Sequence, residues 1–372
     1  MRQRALVLLA AASLLAGTAS ACTAFTASNS RLVLVGNNED DNNPFTVAWF
    51  IPAAIKGKYG RLYVGFDNFD PQGGMNERGL WFDAFAAAPP ELRDSGKPVF
   101  HGNLMDKAMA ECSTVEEVVR LFEQYNRSFM KGFVLMFADA AGGSVIIEPA
   151  AILRKQGRYQ VQTNFHQSLP VPEYACARFR IANTMLKEAG ERISVGLFRR
   201  ILAATHEEQA YPTVYSNVYD LKRRVMYLYN FHNYENVVRI DLRAELQKGE
   251  RAVSIRSLFP ETNASSGYLH TRAQEMNRVE PPVAKVDPGA FDGYAGSYRL
   301  ESGVHFVILR DGDHLLLEAD PLGRVELYPE SAAKFFLRIT DAQFTFVRDS
   351  DGKVNRVLGR INGHESPGKR VQ

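Results

Sequence analysis

Cys22 follows Ala19-Ser20-Ala21, and a cut after Ala21 would leave it as the first residue of the remaining chain. Such a residue joins a thiol, ordinarily near pKa 8.5, to an α-amine of roughly 7.7 to 8.0. One residue then carries both nucleophile and base. The neutral amine takes the thiol proton, directly or through water, and returns it to a leaving nitrogen. The rival readings of a cysteine at this place are a lipidated anchor and an incidental residue near the cleavage site. Ala19 is a poor fit to the larger aliphatic residue usual three positions before a lipidated cysteine. Local sequence leaves these readings open, and the downstream residues must separate them.

The elements that would position Cys22 start with the segment before it. Arg2 and Arg4 precede an apolar run from Ala5 to Ala16, and small residues lead up to the cut, which is the pattern of an export leader over 1–21. A run of about a dozen apolar residues is too short to cross a bilayer core, which takes roughly 20, and no later stretch comes near that length. The expectation is an exported protein, periplasmic or secreted, without a transmembrane segment. A net charge of +2, spread along 372 residues, offers no basic stripe for nucleic acid and no basic patch for an acidic membrane surface. In an oxidising compartment Cys112 and Cys176 can pair and leave Cys22 free, or each can sit singly as a small buried hydrophobe.

Short apolar runs at 31–35, 46–51 and 61–66 read as strands, and 103–125 switches to helical spacing, with Ser113 and Glu116 marking a break between two helices. Strands return at 133–137 and 144–148 around the turn signal Asp139-Ala-Ala-Gly-Gly143. Helices follow at 180–187 and 195–205, then strands at 213–219 and 225–228. Runs of strands alternating with runs of helices point to an α+β layered domain rather than a parallel βαβ array. A polar stretch at 263–288, ending in Glu280-Pro-Pro-Val-Ala-Lys-Val-Asp-Pro288, reads as a linker. Beyond it, in 289–372, seven short alternating segments separated by turns such as Asp311-Gly312 form a small all-β barrel or sandwich. With roughly 350 residues after the leader, two domains are the better prior, the first over 22–262.

Five pieces occur in order behind the cut: Cys22-Thr-Ala-Phe25, Gly36-Asn-Asn-Glu-Asp40, Gly74-Met-Asn-Glu-Arg-Gly-Leu80, Thr163-Asn-Phe-His166 and Ala177-Arg-Phe-Arg180. This succession, over roughly 22–240, resembles the N-terminal-nucleophile cysteine hydrolases. Those include choloylglycine hydrolases, penicillin V acylases, acid ceramidase and the penicillin-forming acyltransferases. The resemblance implies a four-layer αββα sandwich with the N-terminal cysteine at a strand end between its sheets. It also implies hydrolysis of a linear amide through an acyl-enzyme, with no metal or organic cofactor and a small N-acyl amide as substrate.

Carried over by position, the resemblance makes Asp40 the holder of the cysteine's amino group. It makes Asn76 and Asn164 the amides that stabilise the oxyanion, and Arg178 a guanidinium near the thiolate. The bare residues read differently. The Asn and Asp side chains from Asn37 to Asn43 suit a solvated loop, or occasionally a calcium site. Asn76 suits a turn after Gly73-Gly74, Asn164 a strand-end cap, and Arg178 a surface arginine at a helix start.

One departure bears on substrate. Asn37 stands where the bile salt hydrolase and ceramidase branches place an arginine, so this chain resembles more closely the acyltransferase branch, and bile salts are disfavoured. Tyr294-Ala-Gly-Ser-Tyr298, Leu315-Leu-Leu317, Phe335-Phe336 and Asp351-Gly-Lys353 resemble the small lipocalin-like barrel appended to some serine β-lactamase-type hydrolases. That likeness implies no catalytic residue. The expected function is therefore an exported amidohydrolase. An acyltransferase using the same acyl-enzyme, or a lipid-anchored binding protein with Cys22 acylated, are the alternatives. The sequence leaves a homo-oligomer open.

Overall fold

In the computed structural model, residues 22–53, 57–92, 95–170, 176–209, 211–276, 278, 280–320 and 322–371 are described. The leader expected over 1–21 lies outside them. Among the described residues no helix is long and apolar enough to cross a membrane.

The chain opens with the antiparallel pair β1 (Thr23–Ser28) and β2 (Val33–Asp40), then an antiparallel meander of β3 (Thr46–Ile51), β4 (Arg61–Phe66), β5 (Pro71–Asn76) and β6 (Trp81–Ala86). Two helices follow, α1 (Leu104–Glu111) and α2 (Val115–Glu123). The break between them is a capping box of Thr114 and Glu117, one residue beyond the expected pair. The expected hairpin is β7 (Phe133–Ala138) and β8 (Ser144–Ile147). Its turn is shaped by Asp139, whose Oδ1 accepts the N–H of Ala141 and Gly143 while Oδ2 accepts that of Val115. One carboxylate thus sets the hairpin and the start of α2 together. Then come β9 (Ile152–Arg154), β10 (Tyr159–Gln162), α3 (Ala177–Ala189), α4 (Val195–Ala204), β11 (Thr213–Asp220), β12 (Val225–Asn230), β13 (Asn233–Asp241), α5 (Leu242–Leu246), β14 (Arg251–Ser254) and α6 (Asn263–Glu275).

These strands build a six-stranded sheet ordered β10-β1-β2-β11-β12-β13 and a second sheet running β14-β3-β4-β5-β6-β7-β8-β9. The inner faces meet in a core that includes Cys22, Val35, Phe50, Leu62, Met136, Tyr215 and Leu228. The outer face of the first sheet packs Phe25, Leu34 and Val218 against Leu186, Phe198 and Ile201 of α3 and α4. The outer face of the second packs Tyr63, Phe82 and Phe137 against Met109, Val118 and Phe122 of α1 and α2. Each such side chain contributes about 1.5 to 3 kcal/mol by leaving water, so both sheets are pinned on two faces. A strand covered on both faces can hide polar residues, and β2 does: all eight of its residues are buried.

The C-terminal unit consists of β15 (Gly296–Leu300), β16 (His305–Asp311), β17 (His314–Ala319), β18 (Gly323–Pro329), β19 (Lys334–Leu337), β20 (Ala342–Arg348), β21 (Val354–Ile361) and β22 (His364–Arg370). Pairings of β15 with β22 and of β17 with β18 close it into an eight-stranded barrel. Tyr298, Phe306, Phe335, Phe344 and Phe346 pack against one another inside as its core. The expected seven segments are all present. The eighth, β22, is a mostly exposed polar strand that closes the ring.

The stretch expected as a linker is not extended at its start. Thr262 caps α6, whose Tyr268 hydroxyl donates to the Asp41 carbonyl (3.3 Å) and whose Arg272 Nε donates to that of Asn42 (2.9 Å). Just beyond it, Arg278 ion-pairs with Asp67 and lies over the Phe45 ring. Polar composition marked these residues as solvated, whereas they dock onto the loop after β2. Cys112 and Cys176 are both free thiols, so no disulfide joins the helical layers. Burial pushes the Cys112 thiol up to about 11, which leaves it inert.

Candidate active site

Cys22 stands at the entry to β1, 1% exposed, with its side chain in the core between the sheets. Strand alternation sorts the polar end of β2 around it. Asn38 and Asp40 face the helices: Asn38 Nδ2 donates to the Leu202 carbonyl and Thr205 Oγ1 of the α4 end. Asn37 and Glu39 face inward beside Cys22, and Cys22 Sγ lies 3.5 Å from Glu39 Oε1. The Asn37–Asn43 run is therefore not one solvated loop. Its first four residues are buried strand, and their side chains point to opposite faces, so they cannot converge on one calcium ion.

Arg178, in the first turn of α3, organises the site. Its Nη1 donates to the Cys22 carbonyl (3.0 Å), Thr23 Oγ1 (2.8 Å) and Asp40 Oδ2 (3.2 Å). Its Nη2 reaches Asn164 Oδ1 (3.3 Å), and its Nε pairs with Glu207 (2.9 Å). Asp40 Oδ1 accepts the Thr213 hydroxyl. Burial raises the Asp40 carboxyl well above its usual range, and Arg178 and Thr213 pull it back toward the charged form. Asn164 sits in the loop after β10, its Nδ2 donating to the Ala86 carbonyl at 3.0 Å. That loop is anchored by His166 Nε2 on the Ala88 carbonyl (3.0 Å) and by Ser168, whose N–H and hydroxyl both reach Glu148. Cys22, Asp40, Asn164 and Arg178, spread over 156 positions of sequence, thus form one connected group.

Asn76 does not join them. It ends β5, where its Nδ2 donates to the carbonyls of Met109 (2.9 Å) and Cys112 (2.8 Å) and its Oδ1 accepts the N–H of Arg78 and Leu80 (both 3.0 Å). Every hydrogen-bonding position of the amide is used to fasten the β5–β6 turn to the end of α1, so the plain turn reading describes it. Asn76→Ala should destabilise the fold by about 2 to 4 kcal/mol, because it strands buried backbone groups. The kcat of the folded fraction should stay within about twofold of the parent, a limit that an oxyanion donor, worth roughly 100-fold or more, would exceed. Urea unfolding and active-site-normalised kinetics separate the two.

Two residues escaped the sequence reading. Glu39 and Asp83 are buried carboxyls without a cationic partner: Glu39 Oε2 and both oxygens of Asp83 lack a hydrogen bond among the described residues. Burial, and then the charge of Asp41, push Glu39 up to about 8, so at neutral pH it is mostly a neutral acid in contact with the thiol. Burial and then Glu39 raise Asp83 as well. The register pairs Asp83 with Gly73, where a Cβ would meet Asp83 Oδ2 at 2.4 Å, so only glycine leaves it room. A signal existed for each. Asp83 interrupts the apolar strand Trp81–Ala86, and Glu39 shares the inward face of β2 with Asn37.

A cleft of about 450 Å³ opens onto Cys22. Phe66, Met105, Phe133, Ala84 and Ala86 supply apolar walls, and Asp41, Asp70, Asn43 and Asn68 line it with acidic and amide groups.

Against known proteins, residues 280–368 match the family described as Domain of unknown function (DUF3471), which lies within the C-terminal part. Penicillin-binding protein 4* of Bacillus subtilis (strain 168) is 30% identical over 73 residues, 20% of this chain and 16% of that protein. The chain therefore spans about a sixth of the length of the curated relative it matches. Among solved structures, a variant of conjugated bile acid hydrolase from Clostridium perfringens is 18% identical, with a TM-score of 0.49, covering 63% of this chain and 96% of the other. Penicillin V acylase from Agrobacterium tumefaciens is 18% identical, with a TM-score of 0.48, covering 62% and 90%. The Caenorhabditis elegans ortholog of N-acylethanolamine-hydrolyzing acid amidase is 15% identical, with a TM-score of 0.40, covering 54% and 93%. Likeness at this level assigns no function, and the reading of the site rests on its own geometry.

Proposed function

We propose that this chain is an exported amidohydrolase that cleaves a linear N-acyl amide through Cys22 as N-terminal nucleophile. The observation that carries the reading is Arg178, which binds the Cys22 carbonyl, Asp40 and Asn164 at once beside a thiol that faces a cleft. A guanidinium serving three site groups is a scaffold for chemistry at that residue. The layering of α3 and α4, two sheets, then α1 and α2 suits the four-layer αββα sandwich of that hydrolase class.

With Cys22 as first residue, its α-amine takes the thiol proton and the sulfur adds to the amide carbon. The Asn164 amide supports the oxyanion, and Arg178 holds its oxygen so that the amide cannot rotate. The amine returns the proton to the leaving nitrogen as the C–N bond breaks, leaving an acyl thioester on Sγ. Water, deprotonated by the same amine, then adds to the thioester carbon; the C–S bond breaks and the acid departs with the thiol restored.

The cleft speaks to the substrate. Its apolar walls fit an acyl chain, while Asp41 and Asp70 repel an anionic leaving group and accept a neutral or cationic amine. Conjugated bile acids, whose amine portion carries an anion, are disfavoured on that ground and by the lack of an arginine at Asn37. Intact mass after an acid quench should detect one acyl group on a protein that begins at Cys22. N-acyl amides of cationic or neutral amines should turn over at least tenfold faster than those of anionic amines. No acyl adduct with any of these substrates, or a lipid mass on Cys22 of the mature protein, would sink the reading.

A further inference from the structure

Beside the catalytic group, on the opposite side of Glu207, three side chains with metal-binding atoms converge. His206 and Glu208 flank Glu207 in the loop after α4, and His232 comes from the turn between β12 and β13. One nitrogen from each histidine and one carboxylate oxygen all lie within 4.8 Å of one another. His206 Nε2 is 2.8 Å from Glu208 Oε1, and the two imidazole rings are 4.9 Å apart.

The rings are aimed. His206 Nδ1 is fixed on the Ala203 carbonyl at 2.7 Å, which turns its Nε2 toward the cluster. A ring nitrogen held by a backbone carbonyl is the usual support behind a metal-ligating histidine. His232 Nε2 is buried and has no hydrogen-bond partner among the described residues. The backbone contributes strain: Phe231 adopts φ 53, a left-handed conformation unfavourable for a bulky residue, and its neighbour His232 lies at the cluster. Phe231 itself stacks on His232 (4.1 Å) and on Tyr268 of α6 (5.2 Å), which fixes the turn.

We propose that His206, Glu208 and His232 bind one divalent transition metal ion of the zinc type, with solvent completing a tetrahedral shell. Two imidazoles and a carboxylate suit that class of ion over calcium or magnesium, which favour all-oxygen shells. The site takes no part in the acyl chemistry. Its consequence is positional. Glu207, between two of the ligands, pairs with Arg178, and its backbone N–H and carbonyl bond the hydroxyl and N–H of Thr213, whose hydroxyl also bonds Asp40. An ion there clamps the loop that holds Arg178 and Asp40.

Binding is read without turnover, so its outcome is independent of the hydrolase proposal. The full mature protein carrying Cys22→Ala, which removes the competing catalytic thiol, is titrated with Zn²⁺ by calorimetry. One equivalent should bind, with an upward shift of several degrees in Tm at saturation. On the same background, Glu208→Ala, an exposed change that spares the fold, should weaken binding at least tenfold. His206→Ala and His232→Gln should each abolish the stoichiometric event, and His270→Gln on α6 should leave it unchanged. Absence of a stoichiometric event, or one that survives His232→Gln and Glu208→Ala, overturns the site and leaves His206 and Glu208 as a hydrogen-bonded pair only.

Discussion

Cys22→Ala is expected to abolish amide turnover, by roughly 10⁴-fold or more, while the protein still folds. Removing the nucleophile leaves only binding and oxyanion stabilisation, and losses of this size are general when one member of a covalent mechanism is deleted. The structural cost is small. The sulfur is one buried atom in a core of large apolar side chains, and its loss leaves a void worth about 1 kcal/mol, a few degrees in Tm. The bond from Arg178 to residue 22 goes to the backbone carbonyl and survives the change, so the scaffold stays assembled. Leader removal is checked by intact mass, folding by circular dichroism, and turnover by release of amine from an N-acyl amide. A correctly processed, folded alanine variant that retains parental turnover would end the mechanism.

Glu39→Gln should change how the protein responds to pH. The Glu39 carboxyl goes from an ordinary value of 4.5 to about 8 on folding, driven first by burial and then by Asp41. The native state therefore keeps a proton that the unfolded chain has released. Its stabilising effect is complete below pH 4.5, declines as pH rises toward 8, and is gone above that. The change is on the order of a few kcal/mol, since each pH unit of such a gap corresponds to about 1.4 kcal/mol and Asp83 shares the burden. Glutamine has the shape of the neutral acid but no proton to lose. Urea unfolding at pH 5, 6.5 and 8 should give the parent a falling stability. The variant should be flatter and more stable than the parent at pH 8, with the residual slope belonging to Asp83. Equal slopes in parent and variant would show that Glu39 ionises normally. The same proton bears on catalysis, because a carboxylic acid 3.5 Å from Sγ can donate to a thiolate whereas a carboxylate repels one. The parent is accordingly expected to lose kcat/KM as pH rises through about 8, and that fall should move or vanish in the glutamine variant.

Much of the layered unit was legible because its elements announce themselves locally. The short apolar runs of β3 and β4, the helical spacing in α1 and α2, and the Asp139 turn each need only near neighbours, so their bounds came out within a few residues. β13, α5 and α6 were not legible. β13 alternates weakly, with an exposed middle, and α6 has hardly any apolar face, so what orders it is docking through Tyr268 and Arg272 onto distant carbonyls. β22 is strand only because β15 and β21 lie on either side of it.

The same division runs through the site. The sequence by itself drew attention to Cys22, since a thiol placed after an expected leader is a local feature, and it singled out Asp40, Asn76, Asn164 and Arg178 by their likeness to family motifs. Tertiary structure alone decided their company. It put Asn76 on a turn with its amide fully used, because the carbonyls of Met109 and Cys112 approach from α1. It also turned Glu39 inward against Cys22 and Asp83 toward the same buried space, where burial raises both carboxyls. A proton's affinity depends on solvent exclusion and on charges within a few ångströms. Those are set by which strands face each other across the two sheets, a relation no local stretch of sequence contains.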